Sequence, residues 1–480
     1  MGRRRQLNSW IAALFIALAG CVGPASVVPA SAQVPGADAS IRGRVVDATG
    51  ASLPAHVEAV LAGGGLTRST DADAAGRFSL ASLPPGTYHV VVSAAGFSTR
   101  GFDHALAVGQ VLDLTIDLQL PILDDFVDVR GNAPAVDLVS PLVGGVIGAK
   151  EIDSLPLNGR NFLELALLAP GNAPAPNFDP TKARSVVISS GGQLGRGGNI
   201  TIDGMDNNDD VVGGPLMNIS QDAVQEFQVA TNTYSATLGR SAGSVVNVIT
   251  KSGSDAVQGS IGLFARDRRW QAAPATLDSA VADEMPFKRQ QVPMTLGGPL
   301  RREHLFAFGS LEVRNEDGGV LVGSRNLATR QIDRRFAAAP LDDLLGTVRL
   351  DWQAGARDRV MVRYSGQRQN DTSASTLDRA IGTASYRQAS SNRFHGLVGT
   401  WTRVLSPRAV NAASISVSNF RNRIDPVSPG VQLTFPSLLD GASFRVPQGT
   451  TQGRVQVSES LSLTRGAHQL TAGGQLQRVS

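Results

Sequence analysis

The chain has a single cysteine, few aromatic residues and no long apolar run beyond its N-terminus. Cys21 is the only cysteine among 480 residues, which excludes an internal disulfide and a thiolate metal site from the rest of the chain. No later segment offers about 18 uninterrupted apolar residues, so a helical membrane span is not expected. Glycine, by contrast, is abundant with 52 residues, and this composition favours turns and strands over helices.

The charge is close to balanced, with 44 basic and 41 acidic residues. Three of the arginines precede residue 6, and residues 1–32 contain no Asp or Glu, so the chain without them is neutral. A neutral chain without a basic patch gives no indication of nucleic-acid binding. Phosphate-loop and dinucleotide patterns are missing as well, and no serine lies in a nucleophile elbow, so the sequence predicts a non-enzyme without a cofactor.

Residues 1–32 have the features of a signal peptide. The basic stretch "GRRRQ" precedes the apolar run "WIAALFIALAG", which is too short to span a bilayer. Two processing sites compete. The first is "ASAQ", cleaved between Ala32 and Gln33; the second is "LAGC", which is similar to a bacterial lipobox and would lead to lipidation of Cys21. An exported chain without a membrane helix is either soluble or inserted as a β-barrel.

Residues 40–120 predict a small β-sandwich, because apolar residues alternate with polar ones between turns. Phe78 and Leu80 alternate with Arg77 and Ser79, for example, and a Pro-Pro-Gly turn follows. The stretch "DADAAGRFSLASLPPGTY" resembles the transthyretin-like, carboxypeptidase regulatory-like domain, which is non-catalytic in its relatives. The histidines of this segment lack paired metal-ligand spacing and are predicted to be solvated: His56, His89 and His104.

Residues 121–134 are predicted to be a linker, within which "DDFVDVRG" is either an energy-coupling segment or, as we favour, a first strand. Residues 135–255 predict a mixed α+β unit of short strands and Gly/Asn turns. The stretch "LPLNGRNFLELALLAPG" predicts a buried helix, capped by Asn158 or Asn161 and ended by Pro170. Its apolar residues cover nearly all of its surface, with Leu168 among them.

Residues 256–480 predict antiparallel hairpins. In "VRLDWQAGARDRVMVRYSGQ", Val348, Leu350 and Trp352 share one face, and Arg349 and Asp351 share the other. This alternation is typical of a membrane barrel with its apolar face toward lipid, although a soluble sandwich also alternates.

Three stretches occur in a distinctive order: "SLPLNGRNFLELALLAPG", "NITIDGMDNND" and "YSATLGRSAGSVVNVITKSG". Together they resemble the plug domain of Oar-like TonB-dependent outer-membrane receptors, which carry an N-terminal carboxypeptidase regulatory-like domain. The resemblance assigns the plug signature to Leu155, Pro156, Leu157, Asn158, Gly159, Arg160, Asn161, Phe162, Asp203, Gly204, Gly239, Arg240, Gly243 and Asn247. It implies a plugged barrel in the outer membrane of a Gram-negative bacterium, which is pulled by the TonB complex and contacts outer-membrane lipid. The extracellular ligand is left open between siderophore, oligosaccharide and peptide.

The barrel expected from the resemblance has about 22 strands, and each strand needs about 9–11 residues plus its turn. Residues 256–480 suffice for about eight to ten strands by the same arithmetic, so a partial and truncated barrel is predicted. Two other functions remain open: a cell-surface adhesion or scaffolding protein that uses the sandwich, and a lipoprotein anchored at Cys21.

The acidic stretch "DGMDNNDD" raises the question of a calcium site, because oxygen-rich loops bind calcium. Its spacing does not match that of an EF-hand, so an Asn/Asp turn is favoured and no metal site is predicted.

Overall fold

The computed structural model describes residues 38–63, 66–120, 144–155, 157–175, 185–231, 234, 239–272, 284–373, 382–406, 408–443, 445–465 and 468–480. The predicted signal peptide with Cys21, Ala32 and Gln33 lies outside the described residues. The linker 121–134 and Pro156 also lie outside them. The predicted fold class, mainly β with a sandwich, a mixed plug and a barrel sheet, is confirmed.

The N-terminal sandwich consists of two sheets that pack face to face. They are formed by β1 (Ala39–Asp47), β2 (His56–Leu61), β3 (Thr67–Asp71), β4 (Arg77–Leu83), β5 (Gly86–Ser93), β6 (Arg100–Leu106) and β7 (Val111–Leu118). One sheet has the order β4-β1-β7, with β1 and β7 parallel, and the other has the order β3-β2-β5-β6. Phe78 and Leu80 point into the shared core, together with Tyr88, whose hydroxyl donates to the carbonyl of Pro84 at 2.8 Å.

The central unit, called the plug here, is a five-stranded mixed sheet with short helices. Its elements are β8 (Gly144–Gly148), helix α1 (Ala149–Ser154), β9 (Asn172–Pro174), β10 (Ile188–Ser190), β11 (Asn199–Ile202), β12 (Met205–Asp206), β13 (Val224–Thr231), β14 (Ser244–Thr250) and 3-10 helices over Phe162–Leu168, Gly195–Gly197 and Gln221–Ala223. The sheet order is β12-β11-β14-β13-β8, in which β8 is an edge strand and β14 is central. Every residue of β14 is buried, including the polar Ser244, Asn247 and Thr250, because the strand is covered on both faces.

The C-terminal unit is a ten-stranded antiparallel sheet that curves around the plug. Its strands are β15 (Gln258–Ile261), β16 (Phe264–Asp267), β17 (Phe287–Arg301), β18 (Leu305–Arg325), β19 (Ile332–Gln353), β20 (Asp358–Ser373), β21 (Gln388–Ser406), β22 (Ala409–Pro426), β25 (Gln448–Arg465) and β26 (His468–Val479). The short strands β23 (Leu433–Thr434) and β24 (Leu439–Asp440) form a separate hairpin, and 3-10 helices cover Arg268–Trp270 and Ala384–Tyr386.

The two faces of the ten-stranded sheet have the polarity of a membrane barrel. Val348, Leu350 and Trp352 are exposed on the outer face, and Arg349 and Asp351 are buried on the inner face against the plug. A soluble sandwich would bury the apolar face, so the alternation is resolved in favour of a barrel wall. None of the helices in the described part of the chain has the length and apolarity required to cross a bilayer.

The two ends of the barrel wall differ in the length of their connections. At one end the strands are joined by tight turns, such as residues 302–304 and 354–357. At the other end the connections are longer, and residues 427–447 hold the β23–β24 hairpin. We call these the short-turn end and the long-loop end.

Candidate functional site

The stretch that begins at Leu155 binds the barrel wall through its backbone. The carbonyl of Asn158 accepts a hydrogen bond from Arg289 Nη1 at 3.1 Å, and that of Gly159 accepts one from Gln291 Nε2 at 3.2 Å. Both donors are on β17, so one strand of the wall recognises two consecutive carbonyls. Leu155 and Leu157 pack against the plug core.

Arg160 connects this stretch to its surroundings through its charge. Its backbone has a positive φ of 53°, and its guanidinium pairs with Asp222 at 2.7 Å. The same guanidinium lies 3.9 Å from the centre of the Phe264 ring, which adds a cation–π contact. Arg160 precedes the 3-10 helix Phe162–Leu168, whereas Glu164, four residues further along, lies within it. Burial raises the pKa of Glu164.

The predicted helix exists, but it is a 3-10 helix over Phe162–Leu168. Its bonds join residues three apart, as from Glu164 N–H to the Asn161 carbonyl at 3.0 Å. One face of this helix is fully buried, with Phe162, Leu165 and Ala166 each 0% exposed and Phe162 edge-on to Phe227. The expectation of burial on all sides was wrong, because Leu168 is 53% exposed. A tight 3-10 turn has a different side-chain rotation from an α-helix, and this moves Leu168 off the buried surface.

Asn161 caps this helix, as one of the two sequence alternatives proposed. Its Oδ1 accepts from the Leu163 N–H at 3.0 Å, and its Nδ2 donates to Asn218 at 3.3 Å. We expect Asn161→Ala to lower the free energy of unfolding of the plug by about 1–2 kcal/mol, because a buried N–H loses its acceptor. Hydrogen exchange at Leu163 measures this, and Asn158→Ala is the matched control that should leave it unchanged.

Asp203 forms the first buried charge contact between plug and wall. Its carboxylate lies 2.8 Å from Nε of Arg363, which is 0% exposed, and 3.6 Å from Nη1 of Arg349. The same carboxylate accepts the N–H and hydroxyl of Thr250 at 3.0 and 2.7 Å. Asp203 therefore joins two plug strands to two strands of the wall, and its positive φ of 46° orients it for this role.

Arg349 extends this contact along the wall. It donates to the Thr250 carbonyl at 2.7 Å and binds Asp351 through two nitrogens, at 2.7 and 2.9 Å. Arg363 also donates to the Ile202 carbonyl at 2.8 Å. Buried charges are tolerated only when they are paired in this way.

Asp206 forms a second buried charge contact nearer the long-loop end. Its carboxylate lies 2.7 Å from Arg454 Nη1 on β25, and it also pairs with Arg240 of the plug. Arg454 reaches Asp210 at 2.6 Å through its other terminal nitrogen, and Arg240 pairs with Asp210 too. Two guanidiniums and two carboxylates thus form one cluster across the plug–wall boundary. Burial lowers the pKa of Arg240 to about 10.

The other signature residues support these two contacts. The Gly204 carbonyl accepts from Gln456 Nε2 at 3.0 Å, and its φ of 79° allows the turn between β11 and β12. The Gly239 carbonyl accepts from Asn199 at 2.8 Å, and Asn247 accepts from the Thr201 hydroxyl at 3.0 Å. Gly243 lies in the turn that opens β14.

The acidic loop, residues 203–210, has a structural role beyond the predicted Asn/Asp turn. Asp209 accepts the N–H groups of Val211 and Val212, as in the favoured Asn/Asp turn, but Asp203 and Asp206 pair with arginines of the wall. No group of three or more metal-ligating side chains was found in the described part of the chain. The signal that could have found the partners is the set of inward-facing arginines on three strands of the wall: Arg349, Arg363 and Arg454.

Glu226 joins the plug to the sandwich. It is buried on β13, and its Oε1 accepts from the Val108 N–H at 2.6 Å. Burial raises the pKa of this carboxyl from 4.5 to about 7. The flanking strands β8 and β14 carry no ionisable side chain, nor do residues 105–110 of the sandwich. Ionisable groups on the helical elements that pack against β13 are Lys150, Glu151, Asp153 and Glu164.

We expect docking of the sandwich to weaken as the pH rises through about 7. If an undocked Glu226 has an ordinary pKa of 4.5 and a docked one about 7, docking takes up a proton. The stabilisation is therefore fully present below the lower pKa and is lost above the higher one. Hydrogen exchange at Val108, corrected for intrinsic rates, should accelerate between about pH 4.5 and 7 and level off once the docked carboxyl has lost its proton. Glu226→Gln should abolish this dependence, and an unchanged profile in that variant would refute it.

A cavity of about 360 Å³ lies where sandwich, plug and wall meet. Its wall side includes Arg349, Asp351 and Thr402, its plug side includes Asp203, and its sandwich side includes residues 84–87. A second cavity of about 730 Å³ lies beside Arg160 and Phe264. The three units of the chain thus enclose unfilled space at the short-turn end.

Two family models match the chain. The carboxypeptidase regulatory-like domain matches residues 40–119, and the outer membrane beta barrel domain matches residues 249–332 and 336–480. Among curated proteins, the TonB-dependent transporter Oar of Myxococcus xanthus is 26% identical over 303 residues, which are 59% of this chain and 26% of that protein. These relatives are transporters and receptors, and not enzymes.

Solved structures show the same fold. The outer membrane transporter YddB of Escherichia coli matches with a TM-score of 0.56 and 12% identity, over 71% of this chain and 49% of that one. The ferric enterobactin receptor PfeA of Pseudomonas aeruginosa matches with a TM-score of 0.52 and 16% identity over the same shares. The chain spans about a quarter of the Oar transporter and about half of these structures. The chain is therefore a homologue of the Oar-like TonB-dependent transporters of the Gram-negative outer membrane, with a carboxypeptidase regulatory-like domain and an outer-membrane β-barrel domain.

Proposed function

We propose that the chain belongs to a TonB-dependent receptor that takes up an extracellular ligand through a plugged barrel. The observation that carries this proposal is the pair of buried charge contacts, Asp203 with Arg363 and Asp206 with Arg454, between plug and wall. Buried pairs of this kind fix one geometry and are costly to break singly. A plug held in this way closes the barrel until work is done on it.

The energy needed to move the plug comes from a partner protein. The sequence has no phosphate loop of the G-x-x-x-x-G-K type, and the outer membrane lacks a nucleotide supply. We therefore propose that the TonB complex of the inner membrane supplies the energy by pulling on the plug. Purified full chain should bind the periplasmic domain of TonB, and the absence of binding would contradict this step.

The alternative of a cell-surface adhesion or scaffolding protein is disfavoured by where the sandwich lies. It contacts the wall at the short-turn end, as in the hydrogen bond from Arg68 to the Ala356 carbonyl at 2.8 Å. Outer-membrane barrels have short turns on the periplasmic side and long loops outside. In that orientation the sandwich faces the periplasm and is not displayed on the cell surface.

Fractionation tests the proposal as a whole. The protein should sediment with outer membranes and show heat-modifiable mobility on gels, and recovery as a soluble periplasmic protein would refute it. Binding of siderophores, oligosaccharides and peptides to the purified chain distinguishes the three ligand classes. Acyl labelling of the natural chain against Cys21→Ala tests the lipoprotein alternative.

A further inference from the structure

The sandwich lies across the short-turn mouth of the barrel and touches both wall and plug. Arg68 donates to the Ala356 carbonyl in the β19–β20 turn at 2.8 Å, and the Asp255 N–H donates to the Gly63 carbonyl at 3.1 Å. The Val108 N–H donates to Glu226 of the plug at 2.6 Å. These three contacts are far apart in sequence, so the sandwich docks as a unit.

The ion pairs of this interface are long, and each keeps part of its side chains accessible to solvent. Asp38 lies 3.5 Å from Arg359, and Asp73 lies 3.4 Å from Arg408, whose side chain is exposed. Pairs of this kind contribute at most about 1 kcal/mol each. The plug contacts at 2.7 and 2.8 Å are fully buried by comparison, so the sandwich is held less firmly than the plug.

Arg68 makes the docked state more costly. Its side chain is buried, yet its Nε and Nη2 have no hydrogen-bond partner in the described part of the chain. Burying unpaired donors of a charged group opposes docking, because water satisfies them when the sandwich moves away. The interface between sandwich and barrel therefore has few strong contacts, and the unpaired donors of Arg68 raise the free energy of the docked state.

The space beneath the sandwich is incompletely filled. Leu61, Leu66 and residues 84–87 of the sandwich close the cavity of about 360 Å³, whose other walls are plug and barrel. Interfaces that are permanent are packed as densely as protein cores. The void therefore shows that this junction is packed less densely than a protein core.

We propose that the sandwich is a releasable cap, which seals the short-turn mouth and leaves it as a rigid unit before the plug moves. The cap's place in transport rests on the proposed function, whereas its release is a property of the chain alone. Release exposes the cavity and the mouth-side end of the plug, which includes Asp203 and Thr250. The sandwich then acts as a gate in series with the plug.

A disulfide staple tests this proposal in the full chain. A Cβ placed on Gly63 would lie 3.8 Å from the Ser254 Cβ, which is the usual spacing in a disulfide. The variant Gly63→Cys/Ser254→Cys is made with Cys21→Ser, so that only the introduced thiols react. Gly63 has a φ of 90°, and Gly63→Cys alone and Ser254→Cys alone therefore control for backbone strain.

Hydrogen exchange at Val108 and Asp255 reports release, and exchange in the β2 and β5 amides reports unfolding of the sandwich. In the reduced staple variant we expect the interface amides to exchange on the order of 100-fold faster than the slowest sandwich amides. Oxidation should slow the interface amides to the rate of sandwich unfolding. Equal rates for both sets before oxidation would overturn the cap, because the sandwich would then leave only by unfolding.

Thr402→Cys, in the Cys21→Ser chain without the staple, provides a second measurement. Thr402 lines the cavity and is buried, so N-ethylmaleimide reaches it only after release. Labelling should match the exchange rate at Asp255. Labelling as fast as at an exposed site such as Thr329→Cys, or as slow as sandwich unfolding, would overturn the proposal. Failure of membrane fractionation would refute the transport function but leave these results unchanged.

Discussion

Replacing Arg363 with methionine is expected to loosen the plug from the wall by about 3–5 kcal/mol, because one charge of a buried pair is left alone. Asp203 would keep its bonds to Thr250 but lose its nearest cation, which now lies 2.8 Å away. Methionine follows the aliphatic part of the arginine side chain to about the position of Nε, so the change removes the charged group and leaves a smaller cavity than alanine would.

Hydrogen exchange at the Thr250 amide measures this change, since that N–H donates to Asp203. The matched control is Arg423→Met on the same sheet, where the pair with Asp425 has a similar separation of 2.7 Å but its arginine is 63% exposed. We expect a change below about 1 kcal/mol there. The double variant Asp203→Asn/Arg363→Met should recover part of the loss. A loss in Arg363→Met no larger than in the control would show that the buried pair does not hold the plug.

Replacing Asp206 with alanine should have an effect of similar size at the other contact. This change leaves Arg454 and Arg240 without their shared carboxylate, and it removes the acceptor of the Asn208 N–H at 2.8 Å. Stranded buried charges cost about 3–5 kcal/mol. Asp210 keeps one contact with each arginine, which places the expected loss near the lower limit.

Hydrogen exchange in β11, which pairs with the strand of Asp206, measures this second loss. Asp425→Ala, at the exposed pair, is the matched control. Asp206→Asn should lie between the two, because an amide retains hydrogen-bonding capacity but carries no charge. If Asp206→Ala and Asp425→Ala gave the same exchange rates, the cluster would not tie the plug to the wall.

The barrel wall and the sandwich core could be predicted from the sequence because strand faces have a period of two. Phe78, Leu80, Val348 and Leu350 lie on the faces that this period assigns to them. These features depend on neighbours a few residues apart.

The charge contacts could not be predicted, because each joins residues far apart in the chain. Asp203 and Arg363 meet only when the wall curves around the plug at one register, which no local pattern encodes. The same reason applies to Asp206 and Arg454. The helix type failed for another reason: buried residues at spacings of three and four occur in both α- and 3-10 helices, so Leu168 was assigned to the wrong surface.

Strand β8 gives the plug a definite mechanical weakness. It is an edge strand, its one strand partner in the described part of the chain is β13, and Gly144 pairs with Ala230 at the end farther from the mouth. The preceding residues 119–143, which reach at most about 85 Å when extended, join this end to the sandwich. Tension applied to residues 119–143 toward the mouth would load the hydrogen bonds between β8 and β13 one after another, from Gly144 to Gly148. Breaking the hydrogen bonds of a strand one at a time in this way needs much less force than breaking all of them at once.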